Sequence, residues 1–394
     1  MTGQPPGVER SPAPEVRDRM EALRPEFVDF LRQIVLEESP STDPEAQAGV
    51  RALLGEALRG IGLEVEYVPG RRTGGQLLAR GDGSGASPQL LLGHMDTVWP
   101  VGTLARMPVE ESEGMLRGPG VFDMKAGLAI GVFALRAMRD VGADPAVDPV
   151  FLITSDEEIG SPESEPLITQ WARRSARAFI LEPALGLAGR IKTRRKGVGH
   201  FTVEVSGKSA HGGLAPEEGA SAILELAQVI QRVQGLADPE RGISVNVGVI
   251  EGGSRANVVA DRARAEVDVR VWTGEDAAYV EEAIAGLEPT VPGTSIHVAG
   301  EIGRDPLERT PRNARLWERA RAVGRELGLE LEEGSAGGAS DGNITSAYTA
   351  TLDGLGAVGD GAHALHEFVY VDRALERVAL LAGLLAAPRE GART

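Results

Sequence analysis

The sequence predicts an α/β protein with a mixed, largely parallel sheet and an inserted α+β domain, and three observations carry that expectation. Short apolar runs alternate with amphipathic helical stretches up to about Gly197, longer half-alternating runs replace them, and the first pattern resumes after Pro306. Strands alternating with helices favour parallel pairing, because each crossover helix covers a face of the sheet. The chain has 394 residues, and at roughly 100–200 residues per domain that length suits two packed units.

Taken in order, apolar residues recur at helical spacing from Glu15 to Glu38 (Phe30, Leu31, Ile34, Val35) and from Asp43 to Arg59 (Val50, Leu53, Leu54, Leu58), with acids near each start. Both read as surface helices over a sheet. The short runs Leu63–Val68, Leu90–Leu92, Val150–Thr154 and Phe179–Leu181 read as strands, with helices over Met124–Arg139 and Glu165–Arg174. In the inserted block, His200–Val205, Ile243–Ile250 and Ala263–Val271 read as strands and Gly219–Val233 and Glu275–Leu287 as helices. A helix over Asn313–Leu327, a Gly-rich loop over Gly334–Gly342 and a helix over Asp372–Leu385 complete the chain. The expected division is residues 1–197 with 306–394 as one domain and 198–305 as the other.

Composition narrows the function. A formal net charge of -17 repels phosphate backbones and anionic lipid surfaces, so neither nucleic acid nor a membrane is an expected partner. No apolar run approaches the roughly 18 residues needed to cross a bilayer. Met1–Arg19 lacks the apolar core of a signal peptide and reads as a loose leader on a cytoplasmic protein. Cys is 0, which removes thiolate metal sites and thiol nucleophiles. A metal site here is built from carboxylates and the 6 His.

In an open parallel sheet, ligands bind beyond the carboxyl ends of the strands. Four polar groups stand in or near such places: His94 and Asp96, Asp123, Glu157 with Glu158, and Glu182. Acid after acid at neighbouring strand ends is electrostatically unfavourable unless cations sit among them. Zinc accepts His nitrogen and carboxylate oxygen, and two-metal hydrolases hold their ions roughly 3.5–4 Å apart across shared oxygens. Asp123 suits the bridge. His94 with Glu182, and Glu158 with a second His, complete the count; Asp96 is placed to fix the His94 tautomer and Glu157 to take a proton from water.

The series Gly93-His94-Met95-Asp96-Thr97-Val98, Gly118-Pro119-Gly120 to Asp123-Met124-Lys125-Ala126-Gly127, Asp156-Glu157-Glu158-Gly160 and Ser209-Ala210-His211-Gly212-Gly213 resembles the di-zinc peptidase family. That family contains glutamate carboxypeptidase, acetylornithine deacetylase and succinyl-diaminopimelate desuccinylase, and the glutamate carboxypeptidase branch is the nearest resemblance. It implies a zinc-exopeptidase-like catalytic domain, a lid and dimerisation domain, and a homodimer. It implies metal ligands at His94, Asp123, Glu158, Glu182 and a late His, assigned to His363 rather than His366 because Glu367 follows four residues later. Two Zn²⁺ are implied, with Co²⁺ or Mn²⁺ also accepted by such ligands. Glu157 is implied as general base, Asp96 as the supporting carboxylate, and a cis peptide at Asp123-Met124. His211 matches a residue that stabilises an oxyanion across a dimer, and Asn257 and Arg270 match substrate contacts. Arg304, Gly338 and Ser340 are further candidates for the substrate pocket. The implied substrate is a small peptide ending in a free carboxylate, or an N-acyl or N-carbamoyl amino acid.

His200 and His297 carry no motif and read as structural or surface residues. Gly354-Leu355-Gly356-Ala357-Val358-Gly359 spells a dinucleotide fingerprint without the βαβ unit it needs. Gly338-Ala339-Ser340-Asp341-Gly342 spells a nucleophile elbow without a convincing buried strand before it.

Overall fold

The computed structural model of the protein describes residues 11–81 and 87–388. The chain forms two compact units, one running to Thr193 and resuming over Arg309–Ser335 and from Ser340 onward, the other Arg194–Glu308 with Ala336–Ala339. The insertion therefore starts before residue 198, ends after 305, and gains a short return segment that no change of periodicity marks.

The first unit is built on a six-stranded sheet in the order Glu64–Val68, Gln76–Arg80, Pro149–Thr154, Gln89–His94, Arg177–Ile180, Ala350–Leu352. The first two pairings are antiparallel and the other three parallel. Every residue of Gln89–His94 is buried. Its side chains alternate between faces, with Leu91 in one apolar cluster and Leu90 and Leu92 in the other. A strand covered on both sides reads as a continuous apolar run, and each fully buried leucine contributes about 1.5–3 kcal/mol. The helices Ala13–Leu36, Ala126–Asp140 and Val371–Ala386 pack together in the larger cluster, with the Phe27 and Phe133 rings edge-on at 5.2 Å. Helices Glu165–Arg174 and Asp341–Tyr348 pack against each other, and Ile168 and Trp171 of the former lie in the smaller cluster.

Several expectations need correction. Residues 1–10 of the loose leader lie outside the described residues, but from Ala13 it is already helix. The helix expected from Met124 begins at Ala126, because Gly120 in the left-handed region and an extended Asp123 open a wide turn first. The Gly334–Gly342 stretch is not one loop: Glu333–Ala336 is a strand and a helix starts at Asp341. Ala350–Leu352, three residues long, and Gln76–Arg80 also escape a reading by periodicity.

The second unit holds a four-stranded antiparallel sheet in the order Ser244–Gly252, Arg262–Val271, Gly197–Ser206, Ser295–Arg304. Burial alternates along Arg262–Val271, as in a sheet with one face on a core and one toward solvent. Helices Ala222–Gln234 and Gly274–Ala285 supply the other half of that core, through Leu226, Val229, Val280 and Ile284. Each is started by a hydroxyl cap, Ser221 and Thr273, that accepts a main-chain N–H of the first turn. Among the described residues, no helix is long and apolar enough to cross a membrane.

Candidate metal centre

Register in the parallel part of the first sheet sets the centre. His94 is opposite Thr154, and Leu92 is opposite Ile180. Three neighbouring strands thus end at one level, delivering His94 itself, Glu157 and Glu158 just beyond Thr154, and Glu182 just beyond Ile180. Two groups result: His94 with Glu157 and Glu182, and His94 with Asp123 and Glu158.

His94 is buried and its Nδ1 lies 3.0 Å from the main-chain oxygen of Asp96. A carbonyl oxygen only accepts, so Nδ1 carries a hydrogen and Nε2 is the nitrogen left to meet a cation. Nε2 faces Oδ1 of Asp123 at 3.4 Å and Oε1 of Glu182 at 3.5 Å. The Asp96 main-chain oxygen is thus the nearer partner of Nδ1, ahead of the Asp96 carboxylate. The carboxylate sits 3.5 Å from Nδ1 and accepts hydrogen bonds from Ser41 Oγ at 2.7 Å and from the N–H groups of Glu157 and Glu158 at 3.3 and 3.2 Å. Asp96 thus ties the His94 strand to the turn bearing the two glutamates. Ser41 was not foreseen, and nothing in its sequence surroundings marks it.

The Asp123–Met124 peptide bond is cis. The second carboxylate oxygen of Asp123 lies 3.5 Å from Nε2 of His363, which lies 3.1 Å from Oε2 of Glu158. His366 is exposed. His94, Asp123, Glu158, Glu182 and His363 therefore converge, with Glu157 beside them.

The electrostatics of the cluster are those of a cation site. Burial first, then the charge of Glu182, push the Glu157 carboxyl well above its ordinary range, and burial raises Glu158 as well. Burial opposes ionisation of Asp123, yet the two imidazoles and Lys192 draw its carboxyl far below the usual range. Asp123 and Glu158 raise His363 to about 10; His94 is raised by Asp123, Asp96 and Glu182 against the effect of its own burial. Nε2 of His94 and Oε1 of Glu158 are buried without a hydrogen-bond partner among the described residues. Donors bonded tetrahedrally to zinc at about 2.0–2.1 Å lie about 3.3–3.4 Å from one another, close to the separations seen here. The residues present fit divalent cations.

The profile of Peptidase family M20/M25/M40 matches residues 90–387. The chain belongs to that family. It is similar to carboxypeptidase G2 of Pseudomonas sp. (strain RS-16), 26% identical over 89% of this chain and 85% of the relative. It is 30% identical to acetylornithine deacetylase of Erwinia tasmaniensis over 79% of this chain and 85% of the relative. A solved dinuclear metal-binding peptidase of Bacillus subtilis from the M20 family shares its fold, with TM-score 0.69 and 14% identity over 93% of this chain and 98% of that one. This M20 protein is a metal-dependent hydrolase.

In the second unit of the M20 chain, His211 is exposed, and its Nδ1 accepts the N–H groups of Gly213 and Leu214, each at 3.1 Å. Its Nε2 is thereby left as the donor. Asn257 is exposed on the neighbouring segment, whose main-chain oxygen accepts the Gly212 N–H at 2.9 Å. Arg270 makes a two-pronged contact with Asp268, 2.9 Å at each prong, and Arg304 lies on the far side of Val198 from it. His200 and His297 are exposed. Gly338 offers its carbonyl to Arg195 at 3.1 Å. Ser340, of the first unit, is buried; it caps the helix Asp341–Tyr348 and donates to Asp353 at 2.7 Å. Its expected place among the substrate contacts is corrected to a cap, and the nucleophile-elbow spelling has no free hydroxyl behind it.

Proposed function

We propose that this chain is a carboxypeptidase-type amidohydrolase that releases a C-terminal amino acid, with zinc ions held by His94, Asp123, Glu182, Glu158 and His363. The observation that carries the reading is the placement of the two Asp123 oxygens against two different imidazoles, with a glutamate completing each side. Cations bound there supply Lewis acidity to the scissile carbonyl and make a nearby water more acidic.

The residues of the chain supply the rest. Glu157 accepts the proton of the attacking water at a carboxylate oxygen and returns it to the leaving nitrogen; its raised proton affinity suits both transfers. His211 donates Nε2–H toward the oxyanion, from a second copy of the chain. Asn257 contacts the scissile carbonyl. Arg270 takes the free carboxylate of the substrate in place of Asp268, since a guanidinium fork holds a carboxylate by two parallel bonds; Arg304 and Gly338 contribute to the same pocket. The edge strand Ser244–Gly252, with Val249 and Ile250 exposed by 45% and 63%, supports the homodimer.

The similarity to acetylornithine deacetylase favours a second reading in which the acyl group is small and the substrate is an N-acyl amino acid. A release assay over dipeptide, N-acyl and N-carbamoyl substrates ending in Glu, Asp, Ala or Leu, with metal content measured in parallel, separates the two. Glu157→Gln is the test of mechanism: two metals retained and kcat reduced by about 10²–10⁴. Near-parental turnover in that variant sinks the assignment.

A further inference from the structure

Glu367 stands four residues after His363 and is buried to 1% exposure. Its Oε1 accepts the N–H groups of Phe122 and Asp123 at 2.8 and 3.0 Å. Its Oε2 accepts the Gly120 N–H at 2.9 Å and the indole N–H of Trp99 at 3.0 Å. Three of these four donors belong to the turn that carries Asp123. The fourth follows His94 by five residues, on the segment leaving its strand. Glu367 itself is joined to the His363 segment by a turn in which its N–H donates to Ala364 at 3.0 Å. One carboxylate therefore binds together the three chain segments that hold His94, Asp123 and His363.

We propose that Glu367 is the positioning residue that fixes the Asp123 carboxylate between the two imidazoles. A carboxylate has room for about four donors and offers no hydrogen of its own, so it matches this ring of N–H groups as no neutral side chain does. An amide at the same place aims its own NH₂ at two of them, whichever way it is turned. The turn then relaxes, and the two Asp123 oxygens lose their separate aims. The proposal rests on the metal-centre reading above.

The test is metal affinity, measured by calorimetric titration of Zn²⁺ into metal-free parent, Glu367→Gln and Glu367→Asp proteins, with thermal unfolding of the metal-free forms alongside. Glu367→Gln is expected to bind both ions about 10–100-fold more weakly. Its kcat falls at limiting metal and recovers at saturating metal, with KM unchanged. Glu367→Asp keeps the charge but retracts it by one methylene, and is expected to weaken binding in the same direction. Trp99→Phe, which removes one donor and leaves three, is expected to weaken it less than Glu367→Gln. Parental affinity in both Glu367 variants, with two equivalents bound by the parent, overturns the proposal alone. A parent that takes up no metal overturns the metal-centre reading with it.

Discussion

Asp123 and His363 meet through an oxygen that His94 does not use: Oδ2 of Asp123 lies 3.5 Å from Nε2 of His363, while Oδ1 faces Nε2 of His94 at 3.4 Å. Asp123→Asn keeps the size of the side chain but turns one of those oxygens into a donor, which repels a cation. The variant is expected to retain at most one metal equivalent by elemental analysis and to lose at least roughly a hundredfold in kcat/KM, more than loss of a merely supporting residue costs. Two equivalents bound at parental strength would show that Asp123 does not bridge.

Removing metal exposes the charge conflict that the ions resolve. In the metal-free protein Glu157 is raised well above its ordinary value by burial and Glu182, and His363 is raised to about 10 by Asp123 and Glu158. Groups with raised folded-state values bind protons more tightly folded than unfolded, so their contribution is full below the unfolded values and is lost as pH rises through the folded ones. The Asp123 carboxyl, lowered, has the opposite sign but titrates below about pH 4 and is already ionised above it. From pH 5 to 8 the metal-free protein should therefore lose Tm relative to the zinc-loaded protein. Scanning calorimetry of both forms across that range checks it, and a constant or shrinking gap would contradict the assignment of these side chains to the ions.

Much of this centre was legible because its parts are strand ends. The run Leu90–Leu92 followed by Gly93 and His94, and Val150–Thr154 with two glutamates just beyond it, announce buried parallel strands with polar tips, and those tips meet in the candidate centre. Asp123 is legible through its glycines, since Gly120 takes a left-handed conformation in the turn before it. What stayed hidden is long-range or main-chain in character. The return of Ala336–Ala339 to the second unit leaves no mark on local periodicity, and neither does the Asp96 main-chain oxygen that meets Nδ1 of His94. The Asp268 carboxylate that engages the Arg270 fork is likewise unmarked by any motif, although it stands two residues away and alternation places it on the same face.

Ser340 separates a cap from a nucleophile. Its hydroxyl accepts the Gly342 N–H at 3.0 Å and donates to Asp353 at 2.7 Å. Ser340→Ala removes the cap and leaves the buried Asp353 short of one donor, a loss of about 1–3 kcal/mol in unfolding free energy. Metal content and kcat of the folded variant should stay near parental. Loss of all turnover with stability intact would instead revive the hydroxyl as a reacting group.

Gly356, in the stretch that spells a dinucleotide fingerprint, has a different task. A Cβ there would lie 2.2 Å from the main-chain oxygen of Leu181 and 2.7 Å from that of Glu182. Both atoms belong to the backbone at the strand end that presents Glu182, and the Gly356 N–H donates to the Glu182 oxygen at 2.9 Å. Nothing flexible can yield, so the glycine is required by close approach. Gly356→Ala is expected to cost about 1–3 kcal/mol by overpacking. The backbone shift moves Glu182 but not Glu158 or His363, so the ion beside His94 and Glu182 should weaken while the other keeps its affinity. Gly338→Ala is the matched control, because a Cβ there meets nothing within 4 Å. A two-step zinc titration reads the difference; equal weakening of both steps, or of neither, would break the link between Gly356 and the placement of Glu182.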